Sequence, residues 1–194
     1  MQAIDYASSL QRLLELVLPP LASLEVEGPP ATISFGDGRR VTFPPDYLAL
    51  VGKYGSGEFN QDGDVGMVVS VHNPRAAVFQ KSLDKEHAYL REYKQQEGGG
   101  YAAYDIFPDT PGLLQWGWAE GRKAYFWLTE GAPEQWPLIV MWDFEFFGRF
   151  DMPLVVFLER LVSGEMDARF LGDESEPMRL DPALISFAPR PMQM

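Results

Sequence analysis

Three polar residues downstream of Gly55 alternate along the chain as calcium ligands do. They are Asn60, Asp62 and Asp64. An EF-hand loop that began at Asn60 would also need glycine at its sixth position and glutamate at its twelfth, but Val65 and Val71 stand there. The spacing therefore does not predict a calcium site. We expect the segment from Gly55 to Gly66 to form a turn between two elements. The alternative is that it contacts a partner.

The chain has few other side chains that could bind a metal or act as a nucleophile. His72 and His87 are the two histidines, and neither has a second ligand at metal-binding spacing. We interpret both as ordinary half-exposed residues. The chain has no cysteine, which excludes thiolate zinc sites, cysteine nucleophiles and disulfides together. We expect no metal, no cofactor and no enzymatic activity.

Carbohydrate hydrolysis is the strongest enzymatic alternative. Two carboxylates among Glu120, Glu130, Glu134, Asp143 and Glu145 could serve as acid and base, with tryptophan and tyrosine rings as sugar platforms. The first three of these acids fall in expected turns, however, and the neighbouring tryptophans alternate with strand residues as a sheet core would. We therefore rank this interpretation below protein binding.

The elements that would hold these side chains centre on the segment from Leu113 to Gly164, which contains all five tryptophans. Gly121 and the run Gly131-Ala132-Pro133 divide it into aromatic-rich stretches, a pattern that predicts a three-strand meander. A helix over Met152–Ser163 should follow. Asp151 is placed to cap it, and its apolar residues recur at helical spacing.

Strand alternation predicts where the tryptophans point. Trp116 and Trp118 should share one face of the sheet, with Trp127 and Trp136 packed beneath helices. Trp142 lies beside acidic residues and is the best sequence candidate for an exposed aromatic anchor at an interface.

The rest of the chain supplies further elements. The sequence predicts helices over Ile4–Leu18, Pro45–Tyr54 and Ala76–Gln96, a hairpin over Ala31–Phe43 that turns at Asp37-Gly38, and strands over Met67–Val71 and Tyr101–Phe107. After Gly164 we expect Leu180, Leu184, Ile185 and Phe187 to dock on the body.

Two segments resemble the SUKH superfamily, which includes bacterial toxin-immunity proteins and fungal cell-wall assembly regulators. The matching residues are Trp116, Gly117, Phe126, Trp127, Gly131, Pro133, Trp136, Pro137, Phe157, Leu158 and Gly164, together with the segment from Phe43 to Phe59. The chain departs from the pattern at Trp118, where a small polar residue is expected, and by its tails on both sides.

We expect a single α+β domain over residues 1–194, with residues 1–20 as an N-terminal helix and residues 165–194 as a C-terminal extension. Its core should be a twisted, mainly antiparallel sheet of about six strands with about four helices packed on it. The SUKH resemblance implies the same layout.

The net charge of −12 constrains the partner. An acidic surface repels phosphate backbones, so we expect no nucleic acid. Such a charge would steer a basic protein toward the chain, although it also serves solubility. The N-terminus lacks the basic region and cleavage site of a secretory signal, and no apolar run is long enough to span a bilayer. We therefore expect no membrane contact and a cytoplasmic location.

The resemblance implies a non-catalytic immunity protein that neutralises a cognate bacterial toxin. The acidic chain would bind a basic surface of that toxin. The predicted partner-binding residues are Glu58, Asp62, Asp64, Glu120, Glu130, Glu134 and Trp142. The main alternative is a regulatory module of the same fold that binds an endogenous cytoplasmic protein.

Overall fold

The computed structural model describes residues 6–23, 32–34, 40–63, 65–76, 78–96, 103–143, 145–172 and 177–191. Within these ranges it contains four helices, which are α1 (Tyr6–Leu16), α2 (Pro45–Tyr54), α3 (Phe79–Gln96) and α4 (Leu154–Val162). The predicted α+β class is confirmed. The main sheet, however, has eight strands rather than about six.

A small hairpin stands apart from the main sheet. Its strands are β1 (Thr32–Ser34) and β2 (Arg40–Thr42), which pair antiparallel. This pairing confirms the predicted hairpin, whose Asp37-Gly38 turn lies outside the described residues.

The main sheet runs in the order β10-β3-β4-β6-β7-β8-β9, with β5 paired to β6 in parallel. Its strands are β3 (Gly57–Gln61), β4 (Gly66–Val71), β5 (Asp105–Ile106), β6 (Gly112–Ala119), β7 (Lys123–Leu128), β8 (Leu138–Trp142), β9 (Glu145–Phe150) and β10 (Ile185–Pro189). The other neighbouring strands pair antiparallel. The predicted meander is confirmed as β6, β7 and β8.

The predicted turn over Gly55–Gly66 is wrong in part, because Gly57–Gln61 forms β3 and the turn is confined to the residues that follow it. Gly57 was a misleading turn signal. A Cβ at Gly57 would lie 2.3 Å from the ring of Phe187 and 2.6 Å from the carbonyl oxygen of Ala188. The glycine is therefore needed for the close approach of β10, which the local sequence does not reveal.

The C-terminal segment completes this edge of the sheet. β10 pairs with β3 along its length, and the Phe187 ring lies 4.9 Å from that of Tyr54 and 5.0 Å from that of Phe59. Leu180 and Ile185 are buried as expected. Leu184 is not, since 43% of it is exposed.

The two faces of the sheet carry separate apolar clusters. Tyr125 and Trp127 of β7 point toward the larger cluster, which includes residues of α1, α2 and α4. Phe126 and Leu128 point to the opposite face, where Leu90 of α3 completes a smaller cluster. This division follows the period-2 alternation of a strand. α3 contributes to both clusters, with Phe79 and Leu83 in the larger one and Leu90 in the smaller one, while the other three helices contribute to the larger cluster.

Helix ends follow the sequence signals only in part. α2 has the predicted bounds, with Pro45 in its first turn and Gly55 at φ +73° behind it. α4 begins at Leu154, and Asp151 does not cap it. Asp151 instead accepts a hydrogen bond from Arg149 at 2.9 Å.

Candidate functional site

The structure divides the predicted partner-binding residues between two ends of the sheet. Because the strands are antiparallel, the β3–β4, β6–β7 and β8–β9 turns lie at one end, and they carry Asp62, Glu120 and Trp142. Asp64 lies outside the described residues. A Cβ on Gly66 would lie 3.8 Å from Oε2 of Glu120, so the first two turns are neighbours.

Glu130 and Glu134 lie at the opposite end, in the connection between β7 and β8. They border an open groove of about 860 Å³ that Trp136 and Arg40 also line. Glu130 is already paired there with Arg149 at 3.3 Å. The described members of the predicted set therefore do not form one surface.

Glu58 belongs to neither end. It lines a cleft of about 480 Å³ between α3 and the adjacent face of the sheet. Glu58 stands opposite Ser70 on β4, and Ser70 stands opposite Trp118 on β6, so the three side chains form a row across three strands. We call this the α3 cleft, with that row as its floor.

Trp118 reaches this floor because β6 is irregular. The register of β6 against β7 shifts between Gln115 and Gly117, and such a bulge sends the following side chains to the other face. Trp116 therefore packs in the larger cluster, while Trp118 pairs with Ala124, which contacts the smaller one. The prediction that Trp116 and Trp118 share a face is wrong.

Trp118 is the most exposed of the five tryptophans, at 39%. Trp142, the sequence candidate for an exposed anchor, is only partly exposed. Gly117 fixes the floor beside Trp118, since a Cβ there would lie 2.8 Å from the carbonyl oxygen of Ser70. Trp118 could have been noticed in the sequence, because it stands where the SUKH pattern has a small polar residue.

The wall of the α3 cleft is one face of that helix. Phe79, Ser82, Leu83 and Glu86 recur at i, i+3, i+4 and i+7, and all four line the cleft. Burial raises the pKa of Glu86, and the nearby charge of Lys85 opposes that rise only partly. The Glu86 carboxylate forms no hydrogen bond or ion pair with any residue that the structure describes.

His72 lies at the end of β4 and also lines the α3 cleft. Its Nε2 is 3.4 Å from Oγ of Ser70, and burial lowers the pKa of His72 to about 4. The ring is therefore neutral near pH 7. A histidine with so low a pKa is a weak general base, and Ser70 is only 3% exposed, so the pair is poorly suited to nucleophilic catalysis.

His87 does not reach a site. It is 3% exposed, so the prediction of a half-exposed residue is wrong for it. Burial and the charge of Arg91 lower its pKa to about 3.

Arg190 supplies the positive charge of the α3 cleft. It follows β10, and its backbone N–H donates to the carbonyl oxygen of Ser56 at 3.1 Å. Its Nε lies 3.4 Å from Oε2 of Glu58, with the Arg190 side chain 65% exposed and that of Glu58 19% exposed. This long contact at the rim involves Glu58 alone, and the Glu86 carboxylate has no ion pair among the described residues.

Gln115 adds a second unpaired acceptor. Its Nε2 donates to the carbonyl oxygen of Gly117 at 3.3 Å, while its buried Oε1 has no hydrogen-bond partner among the described residues. Buried polar atoms are normally paired, so an orphan acceptor at a cleft is a mark of a binding site. By this criterion the α3 cleft is a better candidate than the groove around Glu130.

Two further features are absent from the described residues. No group of three or more histidine, aspartate or glutamate side chains is placed to hold a metal ion in that part of the chain. Nor does any helix within it combine the length and apolar character needed to cross a bilayer.

Comparison of the chain with family models, with curated proteins and with solved structures found no match.

Proposed function

We propose that the chain is a non-catalytic binding protein that neutralises a basic bacterial toxin domain in the cytoplasm, as its resemblance to the SUKH superfamily implies. The observation that carries the binding role is Trp118. This residue is 39% exposed, lies on a central strand and borders a cleft that contains Glu58 and Glu86.

A tryptophan in this position suits an interface anchor. Large aromatic side chains supply much of the binding energy at protein interfaces, above all when neighbouring groups exclude water around them. Trp118 is held by strand pairing on both sides, to Ser70 and to Ala124. The backbone of Trp118 is therefore already ordered, and covering the residue costs little backbone entropy.

The charge of the chain favours a basic partner. A net charge of −12 attracts a positively charged surface over distances of about the Debye length, roughly 8–10 Å at physiological salt, and it accelerates association. Asp62, Glu120, Glu130 and Glu134 do not line the cleft. In this proposal they contribute to the long-range field rather than to direct contact.

The experiment that tests the proposal is capture followed by a functional assay. The tagged chain is used to capture proteins from its native cells at low and high salt, and retained proteins are identified by mass spectrometry. We expect to recover a basic domain of a secreted toxin at low salt and to lose it at high salt. Expression of that domain in a test bacterium should arrest growth, and co-expression of this chain should restore it.

Two results would count against the proposal. Recovery of housekeeping proteins alone, with no effect on growth, would favour the regulatory module. A captured toxin domain whose effect on growth persists despite a stable complex would show that binding is not neutralisation.

A further inference from the structure

Among the described residues that line the α3 cleft, the Glu86 carboxylate and Oε1 of Gln115 are acceptors without a hydrogen-bond partner, and the buried indole N–H of Trp116 is a donor without one, so acceptors remain in excess. Glu58 and Glu86 bring two carboxylates to it, and Oε1 of Gln115 adds a buried amide acceptor without a partner among the described residues. His72 adds no positive charge near pH 7, because burial lowers its pKa to about 4. The chemistry that this cleft lacks is a cation with several N–H donors.

The chain already places one such group at the rim. The guanidinium of Arg190 reaches Glu58 at 3.4 Å, which is long for a charge-assisted hydrogen bond. Its side chain is 65% exposed, so it lies over the cleft rather than inside it. Phe187 and the pairing with β3 anchor the preceding strand, so the Arg190 side chain can move without β10.

We propose that the α3 cleft receives an arginine side chain of the partner protein, and that Arg190 is an internal stand-in which the partner displaces. This inference rests on the proposed function, since it names the group of a basic partner that the site recognises.

Three features select arginine. A guanidinium is planar, so it stacks on an exposed indole such as Trp118 while its N–H groups point sideways to carboxylates. Glu86 lies on the α3 wall of the cleft and Glu58 on its floor, which suits a group that donates in several directions. A volume of about 480 Å³ is within the roughly 300–1,000 Å³ range of ligand sites, so the flanking backbone also has room.

The test uses the full chain labelled with ¹⁵N at its tryptophan indoles, which gives one NMR signal for each. The signal of Trp118 is assigned from a Trp118→Phe variant. The probes are N-acetyl-arginine amide and its neutral isostere, N-acetyl-citrulline amide. We expect a saturable shift of the Trp118 signal with the arginine probe and little change with the citrulline probe.

Three variants sharpen the test. Arg190→Gln removes the competing guanidinium and should strengthen arginine binding by about 3- to 10-fold, while Glu86→Gln should weaken it about 10-fold. Asp84→Asn removes an equal charge from an exposed position of α3 that does not line the cleft, and it should leave the affinity unchanged. The dispersion of the other indole signals shows whether each variant is folded.

The inference is overturned if the arginine probe gives no saturable shift even with Arg190→Gln, or if citrulline binds equally well. If a toxin domain is captured and neutralised under those circumstances, the proposed function stands and only the arginine site falls. If the probe binds as expected but no toxin is captured, the arginine site stands and the proposed function falls.

Discussion

Asp46 joins the starts of two helices that are 109 positions apart in the chain. Its carboxylate lies in the first turn of α2 and accepts a hydrogen bond from the backbone N–H of Val155 in α4, at 3.2 Å. Asp46 is 4% exposed, and burial raises its pKa although backbone N–H groups oppose this. Since α4 has no side-chain cap of its own, Asp46 serves as one from a distance.

We predict that Asp46→Ala lowers the free energy of unfolding by about 1–3 kcal/mol, because it leaves the N–H of Val155 without an acceptor in a buried position. Asp46→Asn should lower the free energy of unfolding by less, because its amide oxygen can still accept the hydrogen bond from Val155. Urea unfolding followed by tryptophan fluorescence measures both. Asp151→Ala is the matched control and should change stability by less than about 0.5 kcal/mol, since that residue is exposed. Equal losses at Asp46 and Asp151 would contradict this assignment.

Gly57 should be intolerant of a side chain. The Cβ of Gly57→Ala would overlap both the Phe187 ring and the backbone of β10, so we expect a loss of about 1–3 kcal/mol and faster amide exchange in β10. Gly52→Ala is the control, because a Cβ there meets no atom within 4 Å and alanine favours the interior of α2. It should stabilise the chain by about 0.5–1 kcal/mol. Unchanged exchange in β10 of Gly57→Ala would refute the close packing.

Arg12 should stabilise the folded chain mainly through its ion pair with Glu159. Its Nη2 lies 3.0 Å from the carboxylate of Glu159, which is 2% exposed, and 2.8 Å from that of Glu165, which is 53% exposed. Arg12→Gln leaves a buried carboxylate without its cation, so we expect a clear fall in Tm. Glu165→Gln removes only the exposed ion pair between Arg12 and Glu165 and should hardly change Tm. Thermal unfolding compares the two, and the opposite ranking would show that Glu159 needs no cation.

His87 should make the chain less stable in acid. Its pKa is about 3 in the folded state against 6.5 ordinarily, so below about pH 6.5 the unfolded chain binds the additional proton and stability falls as the pH falls. By about pH 5 this costs roughly 2 kcal/mol.

His87→Gln should therefore reduce the stability difference between about pH 7 and about pH 5 by roughly that amount. His72, with its pKa of about 4, acts in the same direction and accounts for part of the dependence that remains. Urea unfolding at the two pH values measures the effect. An unchanged difference in the variant would mean that His87 has its ordinary pKa in the folded chain and is not shifted by burial.

Elements defined by local signals could be predicted from the sequence. α2 has its predicted bounds because Pro45 and Gly55 fix its two ends within the chain itself. The meander follows because Gly121, at φ +72°, and Gly131, at φ +80°, mark its connections. In both cases the determining contacts are close in sequence.

Elements that depend on distant partners were missed. Gly57 and Gly148 resemble turn or stop signals, yet both lie within strands, β3 and β9. Gly57 is required by Phe187 from the other end of the chain, and β9 is completed by pairing with β8. Local propensity does not contain these long-range contacts.

The α3 cleft could not be assembled from the sequence for the same reason. Its side chains come from β3, β4, α3, β6 and the residue after β10, and the bulge beside Gly117 decides which tryptophan reaches it. The predicted acidic set contains only Glu58 from this cleft. Trp118 carried a sequence signal, as a departure from the SUKH pattern, but nothing in the sequence placed it beside Glu58.

The most direct test of the central claim compares two tryptophans in the capture experiment. Trp118→Ala removes the exposed residue of the α3 cleft. Trp142→Ala removes the anchor that the sequence favoured, which lies at the same end of the sheet but on the opposite face, since Ala124 pairs with both Trp118 and Met141. The captured basic domain is titrated against each variant by calorimetry. We predict that Trp118→Ala weakens binding by about 2 kcal/mol or more, roughly 30-fold, while Trp142→Ala changes it by less than threefold. The reverse order would place the interface at the β8–β9 turn and contradict the account.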